Sequence, residues 1–151
     1  MKSKTALMLE LWAESRTRLS KILDQITAED LTKRLGNSPN TLGFLIRHVG
    51  EVELLFAKNV FGSTEVSVIA KTVIAQKDSG EWVDWPELLN FVNASFFSLQ
   101  EIVAQQTEED WEEIVSTKEF GTKTKAEAFG RIVSHTAYHA GQMALLLKYG
   151  Q

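Results

Sequence analysis

Residues 124–150 read TKAEAFGRIVSHTAYHAGQMALLLKYG, and this stretch decides the fold prediction. Thr124 followed by Glu127 is the pattern of a capping box, in which two side chains satisfy free backbone N–H groups at a helix start. Gly150 is a typical helix stop. The residues between them contain no proline and follow the 3.6-residue apolar period of a helix. The stretch therefore predicts one long helix over about Lys125–Tyr149.

Three further stretches have the same helical period. The first covers about residues 4–25. The second begins with Ser38, a good N-cap, and Pro39, which fits the first helical position, and it ends before Gly62. The third covers about residues 85–106. Together with the final helix they predict an all-α chain that forms a four-helix bundle.

Residues 63–83 connect the second and third predicted helices and have no clear period. A short helix, a strand and an apolar loop are all compatible with this segment. A connection of about twenty residues is long for a bundle loop, but it can cross the bundle and leave the flanking helices parallel. No repeat or linker interrupts the chain, so residues 1–151 are expected to form a single domain.

The composition argues against several classes of protein. Sixteen Lys and Arg residues against twenty Asp and Glu give a net charge of -4, which lacks the basic character of nucleic-acid binders and of proteins that dock on anionic membranes. Cysteine is absent, so disulfides, thiolate metal sites and a cysteine nucleophile are excluded. No stretch has the apolar length of a membrane span or a signal peptide. We expect a cytoplasmic protein that acts on a small molecule.

The only three histidines of the chain are His48, His135 and His139. The last two are four residues apart and emerge on one face of the final helix, which is the spacing by which one helix holds one metal ion. His48 lies in the apolar stripe of the second helix and is expected to point inward. A satisfied core histidine and a chance pair are the alternatives. Because one divalent ion satisfies all three buried rings, we favour a metal site.

Three imidazoles leave a coordination position open, as in catalytic zinc sites. A water or thiol in that position would be a nucleophile at neutral pH. Because only neutral imidazole binds metal, affinity is expected to weaken as pH falls through about 6.5.

Polar neighbours of the histidines have candidate roles. Glu51, one turn beyond His48, is a candidate partner for its ring N–H or a catalytic base, and a solvated surface carboxylate is the alternative. Arg131 is a candidate to bind a substrate carboxylate, although a surface or interhelical ion pair is the more ordinary role. Gln142 is a candidate to orient a ligand or to line a polar pocket.

Two segments resemble a known family. Residues 38–49, SPNTLGFLIRHV, and residues 131–142, RIVSHTAYHAGQ, are similar to the second and last helices of the DinB/YfiT-like family of metalloenzymes. The family pattern of one histidine on helix two and H-x3-H on the last helix falls here on His48, His135 and His139. The resemblance implies an up-down-down-up bundle, a divalent metal, most often zinc or nickel, and a homodimer.

The resemblance also implies an activity. The family is similar to metal-dependent transferases that use low-molecular-weight thiols such as bacillithiol or mycothiol. A metal-dependent hydrolase, and a non-catalytic stress protein that binds a metal or a small ligand, are the alternatives. A pocket with an open metal position favours the two enzymes, whereas a fully enclosed ion favours the binding protein.

Overall fold

The computed structural model describes residues 1–151 and is predominantly helical, with four long helices and one short helix. The helices are α1 (Lys4–Leu23), α2 (Leu42–Asn59), α3 (Lys71–Ala75), α4 (Trp85–Ala104) and α5 (Lys125–Tyr149). The strands β1 (Ile114–Thr117) and β2 (Gly121–Thr124) form one antiparallel hairpin, and 3-10 turns cover Ala28–Thr32 and Asp110–Glu112. The all-α prediction is confirmed. None of the helices has the length and apolar content needed to cross a membrane.

The start of α5 is the predicted capping box. Thr124 Oγ1 accepts from the backbone N–H of Glu127 at 3.1 Å, and the Glu127 side chain accepts from the backbone N–H of Thr124 at 2.9 Å. Asp84 caps α4 in the same way, because its carboxylate accepts from the backbone N–H of Glu87.

The predicted start of α2 at Ser38 and Pro39 is wrong. The helix begins at Leu42, and the Thr41 hydroxyl accepts from the backbone N–H of Phe44 at 3.2 Å. The residues before Leu42 instead bond to the segment that follows α3, since the Pro39 carbonyl accepts from the backbone N–H of Asp78. Thr41 Oγ1 also donates to the Asp78 carboxylate at 3.1 Å. A tertiary contact therefore moves the helix start by three residues.

Helix α2 closely approaches α4 and the residues just before it at two glycines. A Cβ on Gly43 would collide with the backbone carbonyl of Trp82, which precedes α4, and one on Gly50 would lie 2.6 Å from the ring of Phe91 within α4. A later residue of α2 thus meets a later residue of this segment, so α2 and α4 run in the same direction. Helix α1 packs against α4 and α5.

The core consists of two apolar clusters with a polar layer between them. One cluster includes Leu19, Val49, Val92 and Ala140, and the other includes Trp12, Val52, Leu99 and Ile132. Arg16, Ser95 and Thr136 lie between the positions of the two clusters on α1, α4 and α5, and Glu53 follows Val52 on α2. Each of the four long helices therefore contributes a buried polar side chain to the core.

Candidate metal centre

The structure brings the three histidines together between α2 and α5. Nε2 of His48 lies 3.2 Å from Nε2 of His135, and one nitrogen of each ring, His139 included, lies within 4.8 Å of the others. In a tetrahedral zinc site with Zn–N bonds of about 2.0–2.1 Å, neighbouring nitrogens are about 3.3 Å apart. The rings thus need only small shifts, and the group is compatible with a divalent metal. No Asp, Glu or Cys joins it, so a fourth position is left to a ligand.

Thr72 of α3 fixes the orientation of His48. Its Oγ1 lies 3.1 Å from Nδ1 of His48 and donates to Oε2 of Glu51. Because the hydroxyl proton points at the carboxylate, the hydroxyl oxygen accepts the proton of Nδ1. The lone pair of His48 is therefore on Nε2, the nitrogen that faces His135. Metal-binding histidines are commonly held by a hydrogen bond to the second ring nitrogen in this way.

Glu51 is fully buried and does not bond to His48 directly, because Thr72 lies between them. Its Oε2 also accepts from the backbone N–H of Thr72 at 2.8 Å, and its Oε1 accepts from Nε of Arg47 at 3.0 Å. The Arg47 guanidinium lies 3.6 Å from the ring centroid of Phe91 on α4. We call Arg47, Glu51 and Thr72 the polar relay. Glu51 therefore supports Thr72 rather than His48 directly, and it is not a solvated surface carboxylate.

The other two rings differ in their partners. Oε1 of Gln142 lies 2.6 Å from Nδ1 of His139 and accepts its proton, so the lone pair of His139 is also on Nε2. Nδ1 of His135 is buried without a partner. Gln142 therefore orients His139, and its role in substrate binding stays a prediction.

Burial keeps the three rings neutral. Burial, together with a smaller effect of His139, lowers the pKa of His48 from 6.5 to about 4. Burial likewise lowers the pKa of His135 to about 3, with added effects of His139, His48 and Arg131. The pKa of His139 is lowered by burial, against the bond from Gln142. At pH 7 all three imidazoles are in the form that binds metal.

These shifts change the expected pH dependence of metal binding. A proton competes with the metal only when the pH approaches the imidazole pKa of the folded protein. With pKa values of about 4 and 3 for His48 and His135, affinity should change little between pH 7 and 5 and should weaken below that range. In calorimetry at pH 6, binding should release clearly fewer protons than the about two expected for three imidazoles of ordinary pKa.

A peptide of residues 125–149 is the control for this experiment, because its two imidazoles are exposed and its affinity should weaken near pH 6.5. A release of about two protons by the folded protein at pH 6 would contradict the prediction.

A cavity of about 1350 Å³ opens beside the histidines and runs along α2 and α5. At the end near α3 its wall is largely apolar, with Phe44, Leu45, Val73, Leu145 and Leu146. The hairpin tip, residues 116–120, and Lys58 and Asn59 of α2 also line the cavity. The cavity exceeds the usual size of a small-molecule site, about 300–1,000 Å³, so it has room for two reactants beside the histidines.

Arg131 lies at the edge of the site rather than beside the metal position. Its guanidinium pairs with Glu119 of the hairpin tip at 3.4 Å, and both side chains are about half exposed. Arg131 also lines a smaller pocket of about 250 Å³ that contains His135 and Tyr138. A substrate carboxylate could reach Arg131 there by displacing Glu119.

Two parts of the site were not predicted from the sequence. Thr72 lies in the segment without a clear period, and nothing in its sequence context indicates a partner for His48. The hairpin had a readable signal, because Ile114–Thr117 and Gly121–Thr124 are rich in β-branched residues around a turn glycine. Gly121 has a φ of +75°, which glycine adopts without strain.

Comparison with known proteins gives one match. The sequence profile of the DinB superfamily matches residues 11–143, which extend from within α1 to within α5 and include all three histidines. No curated protein matches the chain.

Proposed function

Because this chain belongs to the DinB superfamily, we propose that it is a divalent-metal-dependent enzyme that transfers a low-molecular-weight thiol to an electrophilic substrate. The observation that carries the proposal is the convergence of three neutral imidazoles, with one position left open, on a cavity of about 1350 Å³. His48, His135 and His139 would hold the ion. Zinc and nickel are the metals that we expect.

A divalent ion in this site would lower the pKa of a bound thiol, so that the thiol would be a thiolate at neutral pH. The chain has no cysteine and must receive this thiol from solution. The sulfur would form a C–S bond to the electrophilic carbon, and the leaving group would depart with its bonding electron pair. The thiol proton passes to solvent.

The contribution of the protein is mainly to hold the reactants together. A thiolate bound to a metal is a weaker nucleophile than a free one, so the rate must come from proximity and orientation within the cavity. The hydrogen bonds that His48 and His139 donate to Thr72 and Gln142 keep the two rings in place. Arg131 is a candidate to bind an acidic group of a substrate, and Tyr138 lines both the cavity and the smaller pocket beside Arg131.

The surroundings of the histidines favour thiol transfer over hydrolysis. A hydrolase of this kind usually has a carboxylate that takes a proton from water. Here Glu51 is occupied by Thr72 and Arg47, and Glu119, the acidic residue lining the cavity, is paired with Arg131. Thiol transfer does not need such a base, because the thiol loses its proton on binding.

The experiment measures thiol consumption with the metal-loaded protein, a panel of low-molecular-weight thiols and 1-chloro-2,4-dinitrobenzene as the electrophile. We expect a metal-dependent rate roughly 100-fold or more above that of His139→Ala. The control Ser134→Ala, an exposed position beside the site, should keep the wild-type rate.

A wild-type rate equal to that of His139→Ala, across several thiols and metals, would contradict thiol transfer. Metal-dependent cleavage of an activated ester without thiol would then indicate a hydrolase. Stoichiometric metal with neither activity would indicate a binding protein.

We also propose that the protein is a cytoplasmic homodimer. The family resemblance supports a dimer, and so do exposed apolar side chains on two neighbouring helices, Leu7 and Leu11 on α1 and Phe97 on α4. The net charge of -4 supports a small-molecule substrate rather than nucleic acid or an anionic membrane as the partner.

A further inference from the structure

The short helix α3 is attached to the bundle in an unusual way. Its only buried residue is the polar Thr72, which is 2% exposed, whereas the neighbouring Ile74 is 75% exposed. An apolar contact would be the ordinary way to dock a helix of five residues. In α3 a hydroxyl and a backbone N–H face inward instead, which indicates that the site needs these polar groups.

The two hydrogen bonds from Thr72 to Glu51 are not equivalent. The backbone N–H bond of 2.8 Å would by itself hold α3 against α2. The hydroxyl donates to the same oxygen, Oε2, and so adds little to that attachment. The hydroxyl instead acts on His48. Because the hydroxyl proton is donated to Glu51, the hydroxyl oxygen can only accept a hydrogen bond from Nδ1 of His48.

Arg47 completes the arrangement from the other side. It donates to Oε1 of Glu51 and packs over Phe91, so both carboxylate oxygens have fixed partners. The polar relay therefore connects Arg47, which packs on Phe91 of α4, to the imidazole of His48. Arg47 and Thr72 both donate to the Glu51 carboxylate, and the Thr72 oxygen accepts from His48.

We propose that Thr72 is a positioning residue whose hydroxyl holds His48 as the Nδ1–H tautomer and so couples the docking of α3 to metal affinity. The metal part rests on the proposed function. Without the hydroxyl, the Nδ1–H of His48 has no acceptor, and the ring moves its proton to Nε2, the nitrogen needed for the metal. Coupling is reciprocal, so a bound metal strengthens the docking of α3.

The test compares Thr72→Val with Thr72→Ser in a calorimetric zinc titration. Valine keeps the shape and the backbone N–H bond to Glu51, whereas serine keeps the hydroxyl. Loss of a hydrogen bond to a metal-ligating histidine typically costs 10–100-fold in affinity, and we expect a loss of that size for Thr72→Val. Thr72→Ser should stay within about threefold of the wild type. Zinc should also slow hydrogen exchange of the Thr72 amide.

The matched control is Thr5→Val at the far end of the bundle. Thr5 donates to the Gln106 carbonyl and accepts from Trp111, each at 2.8 Å, so its loss also removes buried hydrogen bonds. This variant should be less stable yet bind zinc as the wild type does. Wild-type affinity in Thr72→Val, or equal losses in Thr72→Val and Thr72→Ser, would overturn the proposal.

A readout without metal separates this proposal from the proposed function. The imidazole ¹⁵N shifts of the metal-free protein report the tautomer of each histidine. We expect Nδ1–H for His48 in the wild type and in Thr72→Ser, and a shift toward Nε2–H in Thr72→Val. Identical tautomers in all three would overturn the positioning role. A wild type that binds no divalent metal but shows these tautomers would refute the metal function and the coupling, and leave the positioning role in place.

Discussion

The double variant His135→Ala/His139→Ala is expected to lose the metal, from about one ion per chain to less than about a tenth. It removes two of the three imidazoles that converge within 4.8 Å, and the remaining His48 cannot hold an ion alone. Each single substitution, His48→Ala included, should also lose the ion. Elemental analysis of the tag-free protein after gel filtration measures the result.

The fold should survive this change. The two apolar clusters of the core do not include the histidines, so helix content by circular dichroism should match the wild type. Ser134→Ala, on the same helix, is the control and should keep its ion. Stoichiometric metal in the double variant would show that the ion binds elsewhere.

The histidine group could be predicted from the sequence because its signal is local. The four-residue spacing of His135 and His139 and the apolar stripe around His48 place all three rings inside a helical bundle. The cap at Thr124 fixed the bounds of α5 for the same reason, since both capping partners lie within four residues.

What the sequence did not reveal depends on contacts between distant residues. The partner of His48 is Thr72, 24 residues further on in a segment without periodicity. Leu7 and Leu11 follow the apolar period of the first helix, yet they are 48% and 61% exposed. Arg16 is buried instead, because Glu53 on α2 and Asn93 on α4 accept its hydrogen bonds. Period alone does not identify such a pairing.

This buried pair leads to the second large effect, on stability. Arg16 donates to Glu53 at 3.3 Å, and the two side chains are 6% and 0% exposed. Glu53→Ala removes an acceptor from a buried guanidinium and opens a cavity, which should lower the free energy of unfolding by about 3–5 kcal/mol. Arg16→Met/Glu53→Leu, which fills the space with apolar side chains, should stay within about 1 kcal/mol of the wild type. Urea unfolding measures both.

The pH dependence of unfolding tests the state of Glu53 itself. Burial raises the pKa of Glu53 to about 8, against the opposite effect of Arg16. The folded protein therefore binds a proton that the unfolded chain has lost, and stability should fall as pH rises from 7.5 to 8.5, by up to about 1 kcal/mol per pH unit. Histidines contribute little to this slope, because above about pH 7.5 they are largely neutral in both states. Glu53→Gln keeps an acceptor for Arg16 but cannot titrate, so its stability should not change over this range. Equal slopes for Glu53→Gln and the wild type would show that Glu53 is ionised in the folded protein and forms a true ion pair with Arg16.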